Sequence, residues 1–315
     1  MRYVIIDYMH LAHRCFQAQP LSAMVNFGGE LRPVDTTIPT HTIKNIFRYS
    51  GRGDYYTAVC FEGGNAFRKN YFSIGGDQDG SGYKGKRASH RGTFYEGVDL
   101  ALTIMNTANM SLYRIANYEA DDMVYSLVKK IKSFDTTTPI DVVTNDSDLL
   151  PLVDVQVSVY MRGTREFAEP GCPVLRLYYQ VTPRSWDEYL SYTSAYKNYR
   201  IPYNSMLLFK LIRGDKADNI AGACKGFGGK KYTEFMEKME EDGVDFAHIF
   251  RYGNDFDSTM APVLLNYFSE EEVARMKFIY GGICLRETSV VAPKQLDEGK
   301  LQYELSKFNI NLFKA

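Results

Sequence analysis

Three short stretches of the sequence concentrate carboxylates. They are Glu119-Ala120-Asp121-Asp122, Asn145-Asp146-Ser147-Asp148 and Gly214-Asp215-Lys216-Ala217-Asp218-Asn219. Two carboxylates about 4 Å apart repel each other by roughly 4 kcal/mol at an effective dielectric constant of about 20, so a fold that joins these stretches needs cations. Ligands that offer only oxygen suit Mg²⁺ or Mn²⁺ rather than zinc. Several Mg²⁺ ions bound together are used mainly in phosphoryl transfer and phosphodiester hydrolysis.

Three apolar runs are each followed by an acidic residue. The runs and their acidic residues are 2–6 with Asp7, 55–61 with Glu62, and 140–144 with Asp146. Short apolar runs separated by helical patterns predict an α/β fold with a doubly wound parallel sheet and helices on both of its faces. Ligands of such sheets bind at the carboxyl ends of the strands. We therefore expect the acidic residues to meet at one edge of the sheet.

Helical patterns lie between the predicted strands. The expected helices are Thr40–Tyr49, Phe94–Asn109 and Glu119–Lys132. The third has the clearest pattern, with apolar residues at helical spacing and lysines near its C-terminal end. It places two or three carboxylates of the first acidic stretch in its first turn.

Two glycine-rich segments carry positive charge. Residues 73–92 combine glycines with Lys84, Lys86, Arg87 and Arg91, which predicts a flexible basic loop, although an ordinary solvated linker is an open alternative. The segment Gly226-Phe227-Gly228-Gly229-Lys230-Lys231 precedes a predicted helix over 232–241. Backbone N–H groups of a glycine turn that opens a helix bind phosphate well.

Residues 162–204 are rich in tyrosine and contain the only tryptophan, Trp186. Their first half suggests a hairpin or irregular strands, and Ser185–Tyr196 has a helical pattern. Such tyrosines can stack on nucleic-acid bases. Half-buried packing is the more frequent role of such residues.

The composition limits the class of protein. The chain has 315 residues, is 45% hydrophobic, and has no apolar run near the roughly 18 residues of a membrane-spanning helix. Its five cysteines form no Cys-x-x-Cys pair, so neither a zinc site nor a disulfide framework is expected. The expected compartment is a reducing cytoplasm. The net charge is −1; if nine acidic residues line one site, the remainder carries +8 and could hold phosphates around that site.

Five motifs in order resemble the 5′-nuclease family, which includes flap endonucleases, the 5′→3′ exonuclease domains of bacterial DNA polymerase I, and phage 5′-exonucleases and RNase H-type enzymes. The similarity covers roughly residues 1–245. The motifs are Val4-Ile5-Ile6-Asp7, Tyr83-Lys84-Gly85-Lys86-Arg87, Tyr118-Glu119-Ala120-Asp121-Asp122, Thr144-Asn145-Asp146-Ser147-Asp148-Leu149-Leu150 and Gly214-Asp215-Lys216-Ala217-Asp218-Asn219-Ile220.

The resemblance implies a PIN-like α/β domain with a helical helix-hairpin-helix region that binds duplex DNA and can hold K⁺ in its turn. It implies two Mg²⁺ or Mn²⁺ ions, with water activated by the metal as the nucleophile and a 5′-phosphate product. The implied metal ligands, direct or through water, are Asp7, Glu62, Glu119, Asp121, Asp122, Asp146, Asp148, Asp215 and Asp218.

The resemblance also implies catalytic and DNA-binding roles. Lys84 and Arg87 would neutralise charge on the scissile phosphate, and Asp146 is the third expected catalytic residue. The expected DNA contacts are Arg14, Arg68, Lys84, Lys86, Arg87, Arg91, Gly226, Gly228, Lys230 and Lys231.

The chain departs from the family pattern at three places. Glu62 stands where the family has an aspartate, and it reaches one methylene further. Ala221 replaces a proline in the hairpin turn, which is about one residue longer. The stretch between Asp148 and Asp215 is also longer, so that the tyrosine-rich segment resembles an insertion.

The resulting expectation is a monomeric, metal-dependent, structure-specific 5′ nuclease in the cytoplasm, or in the host cytoplasm if the protein belongs to a phage. Its substrates would be duplex DNA with a 5′ flap, a nick or an RNA primer, and single-stranded-DNA-binding or other replication proteins are expected partners. We expect a nuclease domain over 1–160 with a basic arch at 68–93, an insertion at 161–204, and a helix-hairpin-helix and helical region over 205–315. A PIN-like ribonuclease and a DNA-binding homologue with attenuated catalysis are the alternatives.

Overall fold

The structure is a computed structural model that describes residues 1–16, 22–27, 30–50, 55–74, 82–84, 92–162 and 178–307. Most of the predicted basic loop, including Lys86, Arg87 and Arg91, lies outside the described residues.

The described helices and strands alternate through the first half of the chain and are mainly helical in the second. In chain order they are β1 (Arg2–Asp7), α1 (Tyr8–Phe16), β2 (Ser22–Phe27), β3 (Glu30–Asp35), α2 (Thr37–Ser50), β4 (Tyr55–Cys60), α3 (Ala66–Ile74), α4 (Gly92–Thr107), β5 (Ser111–Tyr113), α5 (Ala120–Lys132), β6 (Ile140–Val143), a 3-10 helix (Ser147–Leu152), β7 (Val157–Arg162), β8 (Tyr178–Val181), α6 (Trp186–Tyr192), α7 (Met206–Arg213), β9 (Gly214–Asp215), β10 (Ile220–Ala221), α8 (Gly229–Glu241), α9 (Phe246–Ile249), a π-helix (Phe256–Met260), α10 (Ala261–Leu264), α11 (Glu270–Ile283) and α12 (Glu298–Ser306).

The main sheet has six described strands in the order β5-β4-β1-β6-β7-β8. The strands β5, β4, β1, β6 and β7 are parallel to their neighbours, whereas β8 runs antiparallel to β7. The predicted α/β sheet with helices on both faces is thus confirmed, with the correction that it is mixed. The antiparallel strand β8 lies in the first half of the tyrosine-rich segment, where the sequence suggests a hairpin or irregular strands, and its partner is β7.

Both faces of the sheet are covered, which explains the continuous apolar runs. Ile5 and Val142 belong to one core, with α5, α7 and α11, while Val4, Ile6 and Val143 belong to the other, with α1, α2 and α4. All five of these side chains are at most 2% exposed. Burying each contributes about 1.5–3 kcal/mol, so this burial fixes the strands whose ends carry the acidic residues.

The predicted acidic helix is α5, which begins after Glu119. The Glu119 backbone N–H donates to Asp122 Oδ2 at 3.1 Å, which satisfies one amide at the helix start. Acidic residues occupy its first turn and lysines its last, in the order that the helix dipole favours. The helix packs against β1 and β4, so that its first turn lies beside their carboxyl ends.

The segment after α11 returns to the sheet. The Arg286 N–H donates to Asp122 Oδ1 at 2.8 Å, Tyr113 Oη donates to Val291 O at 2.9 Å, and Gln295 forms a bridge with Tyr56. The C-terminal region therefore contributes to the edge where α5 begins. None of the helices in the described ranges is long and apolar enough to cross a membrane.

Candidate metal centre

The carboxyl edge of the sheet brings together acidic residues from distant parts of the sequence. Asp7 is the last residue of β1, Glu62 follows β4 by two residues, and Asp146 follows β6 by three. Asp121 lies in the first turn of α5. The sequence-based expectation that these residues meet at one edge is thus consistent with the sheet order, in which β4, β1 and β6 are adjacent.

The tightest carboxylate group consists of Asp121, Asp146 and Asp148. One oxygen from each lies within 4.8 Å of the other two. Asp146 Oδ1 accepts a hydrogen bond from the Asp148 N–H at 2.9 Å, which starts the 3-10 helix and turns both side chains towards the same place. Three oxygens at this spacing can bind one divalent cation.

Thr144 joins this group to Asp7. Its hydroxyl donates to Asp7 Oδ2 at 2.9 Å and accepts from the Asp146 N–H at 3.0 Å. The threonine is 0% exposed, so both bonds are shielded from water. It holds the ends of β1 and β6 in fixed relation.

Three carboxyls at this edge have raised pKa values. Burial, together with the charge of Asp146, raises the pKa of Asp7 to about 6. Burial and Glu119 raise that of Glu62 to about 7, and burial, Asp146 and Asp7 raise that of Asp121 well above its ordinary value. Among the described residues, no Lys or Arg forms an ion pair with Asp7 or Asp121. Burial and the neighbouring carboxylates therefore both disfavour the charged forms of these groups, and a bound cation would offset this cost.

The remaining carboxylates are compensated by the protein. The acidic edge contains the nine predicted carboxylates and, among the described residues, four nearby cations, which leaves it a formal charge of −5. The cations and their partners are Arg68 with Glu119 and Asp122, Lys84 with Glu119 and Asp218, Lys210 with Asp148 and Asp215, and Arg286 with Asp122.

The donor set fits a divalent metal. The uncompensated groups offer only oxygen ligands, and Asp7 and Asp121 among them are buried, which raises their pKa values. Such a set suits a hard cation of the Mg²⁺ or Mn²⁺ type.

The structure corrects the predicted role of Asp122. The side chain is 0% exposed and accepts hydrogen bonds from Arg68 and from the Arg286 N–H and guanidinium at 2.8–3.2 Å. Burial alone would raise the pKa of Asp122, but the two arginines bring this pKa below its ordinary value. With its oxygens fully used, Asp122 anchors the start of α5 and is not a metal ligand in this arrangement.

Arg68 is likewise not a DNA-binding residue in this structure. It is 3% exposed, and its guanidinium donates to Glu119 Oε2 at 2.5 Å, to both oxygens of Asp122, and to Gly282 O at 3.2 Å. A phosphate outside the protein has no access to it. The sequence did not show this because its partners lie 51, 54 and 214 residues away.

Lys84 lies inside the acidic edge. Its Nζ is 2.7 Å from Glu119 Oε1 and 3.9 Å from Asp218 Oδ2, and its N–H donates to Asp218 O at 3.1 Å. Burial alone would lower the pKa of Lys84, but the charges of Asp218 and Glu119 raise this pKa above its ordinary value. The ammonium therefore stays charged. The residue has a φ of 54°, a left-handed conformation that holds the chain close to Asp218.

Glu62 reaches the same edge and contacts α5. The pKa of Glu62 is affected by Glu119, Lys84 and Asp7, and the N–H of Ala120 donates to its carboxylate. A glutamate can thus reach from the end of β4 to the start of α5. Whether it binds metal stays a prediction.

Lys210 is a residue of this edge that the sequence reasoning missed. It lies on α7, in the otherwise apolar segment Met206-Leu207-Leu208-Phe209-Lys210-Leu211-Ile212, and is 3% exposed. A lysine within such an apolar segment, five residues before Asp215, was the available signal.

The glycine turn precedes α8, as expected. Gly226 has a φ of +73°, and Gly228 lies at the N-cap of the helix. The side chain of Lys230 is 92% exposed, and Lys231 Nζ lies 4.3 Å from the ring centre of Phe227. The side chain of Arg14 is outside what the structure describes. DNA binding by these residues stays a prediction.

The tyrosine-rich segment packs mainly into the protein. Trp186, Tyr189 and Tyr196 are 1–8% exposed, and the Tyr196 hydroxyl hydrogen-bonds Ser147 beside the acidic edge. These side chains fit the packing interpretation, whereas Tyr192 is exposed.

The fold and this edge define an α/β protein with an acidic site at the carboxyl ends of its strands, whose oxygens suit a divalent metal. Residues 2–172, more than half of the chain, match the family described as 5'-3' exonuclease, N-terminal resolvase-like domain. The chain belongs to this family.

Curated relatives agree with this assignment. DNA polymerase I of Caldicellulosiruptor bescii is 24% identical over 244 residues, 76% of this chain and 24% of the relative. The thermostable DNA polymerase I of Thermus aquaticus is 25% identical over 75% of this chain and 24% of its own length. A 5'-3' exonuclease of Mycoplasmopsis pulmonis is 24% identical over 50% of this chain and 45% of its own. The chain thus spans about a quarter of the length of these polymerases.

Solved structures share the fold. A flap endonuclease of bacteriophage T5, in a pseudo-enzyme-product complex with DNA and metal ions, aligns with a TM-score of 0.54 at 18% identity, covering 90% of this chain and 88% of that chain. Human GEN1 in complex with Holliday junction DNA aligns with a TM-score of 0.51 at 11% identity, covering 99% and 68%. These similarities confirm the predicted PIN-like nuclease fold.

Proposed function

We propose that this protein is a divalent-metal-dependent, structure-specific 5′ nuclease that hydrolyses phosphodiesters near 5′ ends. The observation that carries the proposal is the group of uncompensated carboxylates, Asp7, Asp121 and Asp146, at the carboxyl edge of the sheet. Family membership supports the same reaction class.

Asp7, Asp121, Asp146 and Asp148 would hold Mg²⁺ or Mn²⁺, with Glu62 in reach of the same edge. Bound divalent ions supply activation of water and stabilisation of charge on the phosphate. Thr144 fixes the orientation of Asp7 through its hydrogen bond. The other acidic residues hold the protein cations and so keep the edge in shape.

Lys84 is suited to act on the phosphate. Its ammonium is inside the edge, where it contacts Glu119. Metal ions that satisfy the carboxylates would free this ammonium for a phosphate oxygen, where it stabilises developing charge. Arg87 is proposed for the same task.

The proposed substrate is duplex DNA with a 5′ flap, a nick or an RNA primer, as in primer removal during replication. Exposed Lys230 and the backbone of Gly226 and Gly228 would contact the duplex phosphates, with K⁺ in the turn as a finer proposal. Replication proteins are the proposed partners, and the host or bacterial cytoplasm the proposed location.

The test is cleavage of a 5′-labelled flap duplex with Mg²⁺ or Mn²⁺. We expect cleavage by the wild type and a loss of at least about 100-fold in Asp146→Asn, because removing a charged ligand weakens metal binding and activity. Asp257→Asn, in an exposed ion pair with Lys277, is the control and should keep full activity. Absence of cleavage with both metals would refute the proposal, and preferential cleavage of unstructured RNA would favour a single-strand ribonuclease.

A further inference from the structure

The ammonium of Lys210 lies among the acidic residues of the edge. It donates to Ser147 Oγ at 3.0 Å, to Asp215 Oδ2 at 2.9 Å and to Asp148 Oδ1. Three acceptors satisfy the three N–H bonds that an ammonium offers. The side chain is 4% exposed, so the group is a buried, fully paired cation.

This position divides the acidic edge into two unequal parts. Asp7, Asp121 and Asp146 form no ion pair with a described lysine or arginine. Asp148 and Asp215, by contrast, share the ammonium. Burial alone would raise the pKa of Asp215, but Lys210 and two backbone N–H groups bring this pKa below its ordinary value.

Asp148 links the two parts. One of its oxygens lies within 4.8 Å of oxygens of Asp121 and Asp146, while Oδ1 accepts from Lys210. A divalent ion that takes the other oxygen of Asp148, Oδ2, together with Asp121 and Asp146 would leave the Lys210 contacts intact. An ion placed between Asp148 and Asp215 would stand where the ammonium is.

We propose that Lys210 is a tethered cation that makes the two divalent-ion positions of this edge unequal. The position formed by Asp121, Asp146 and Oδ2 of Asp148, beside Asp7, binds a divalent ion tightly. The position formed by Asp148 and Asp215 binds a second ion weakly, because that ion must displace or repel the ammonium. The inference rests on the proposed function only in taking the acidic edge as the metal site.

An ordinary structural role for Lys210 gives a different expectation. If the lysine only held Asp148 and Asp215 in position, removing its charge would loosen these ligands and weaken the second ion. If it competes with that ion, removing its charge strengthens the binding. The sign of the change in affinity separates the two roles.

The experiment is titration of the metal-free protein with Mn²⁺, with bound and free ion measured by calorimetry and electron paramagnetic resonance. The wild type should bind one ion tightly and a second at least tenfold more weakly. Lys210→Gln keeps a hydrogen-bond donor without the charge and should bind the second ion at least tenfold more tightly than the wild type. Lys210→Arg keeps the charge and should resemble the wild type.

Two results would overturn the proposal: an unchanged second affinity in Lys210→Gln, or a weaker one. Since a stranded carboxylate pair can prevent folding of the variant, the wild type supplies a second measurement. In ¹H–¹⁵N spectra, the slowly exchanging ammonium signal of Lys210 should persist with one equivalent of Mg²⁺ and shift or vanish at saturation. A signal unchanged at saturation would equally refute the inference.

These readouts are independent of nuclease activity. A protein that cleaves no DNA yet shows the two unequal affinities refutes the proposed function and leaves the role of Lys210 standing. A protein that cleaves flap DNA but binds both divalent ions with equal affinity supports the proposed function and refutes the role of Lys210.

Discussion

Replacing Arg68 by methionine tests whether the acidic edge depends on cations supplied by the protein. The guanidinium donates to Glu119 at 2.5 Å, to Asp122 at 2.8 and 3.2 Å and to Gly282 O at 3.2 Å. Its side chain is 4% exposed, so water screens these contacts little. Removing one member of a buried ion pair costs about 3–5 kcal/mol. Because Arg286 still contacts Asp122, we expect a loss of about 3 kcal/mol in the free energy of unfolding.

The assay is urea unfolding in EDTA at neutral pH, for Arg68→Met, Asp122→Asn and the double variant. Asp122→Asn removes one of the charges that Arg68→Met strands, so the double variant should lose less than the sum by at least about 1 kcal/mol. Lys277→Met breaks an exposed pair with Asp257 and should cost less than about 1 kcal/mol.

Two outcomes would refute the reasoning about Arg68. One is a loss in Arg68→Met no greater than that of the Lys277→Met control. The other is strict additivity of the two single variants, which would mean that Arg68 and Asp122 act independently despite their contacts. Either result would show that the edge tolerates its charges without the protein cation.

Three further predictions concern metal, turnover and backbone packing. An acid whose pKa is raised in the folded protein destabilises the fold, without metal, as the pH rises through that pKa, which is about 6 for Asp7 and about 7 for Glu62. Mg²⁺ should therefore raise the melting temperature more at pH 8 than at pH 5. An equal shift at both pH values would contradict the assignment of these residues to the metal site. Lys84→Ala should lower kcat on flap DNA far more than DNA affinity, measured by single-turnover kinetics and binding titration, and an equal loss in both would make it a phosphate clamp. Gly63→Ala should lower the free energy of unfolding in urea by about 1–3 kcal/mol, because the added Cβ would lie 1.7 Å from a backbone carbonyl oxygen. Gly228→Ala is the control, since a Cβ at that position meets open space. Equal losses in the two variants would contradict the packing around Gly63.

The parts of the fold that local patterns determine could be predicted from the sequence. The strands β1, β4 and β6 are buried on both faces, so their apolar runs are continuous, and α5 has its charges ordered along the helix dipole. The ends of these elements fixed where Asp7, Asp121 and Asp146 would lie. Their meeting at one edge follows from parallel strand order.

The contacts that depend on distant residues could not be predicted. Arg68 was expected at the DNA surface from the family resemblance, and only the fold reveals its carboxylate partners. Lys210 pairs with Asp148 across 62 residues. The β2–β3 hairpin over 22–35 went unpredicted, and the sequence suggested a hairpin or irregular strands around β8 without giving their pairing, since strand pairing is set by tertiary context more than by propensity.

The balance between protein cations and unpaired carboxylates explains how the edge can fold and still attract the proposed metal ions. A fully compensated edge would offer a divalent ion no net attraction, while nine carboxylates without cations would repel one another beyond the roughly 5–15 kcal/mol by which proteins are stable. Arg68 and Lys84 pair with Glu119, Asp122 and Asp218, and Lys210 pairs with Asp148 and Asp215. Asp7, Asp121 and Asp146 are left without an ion pair among the described residues. Because this unpaired charge lies where the ends of β1 and β6 meet the start of α5, we expect the affinity for a divalent metal to be greatest there.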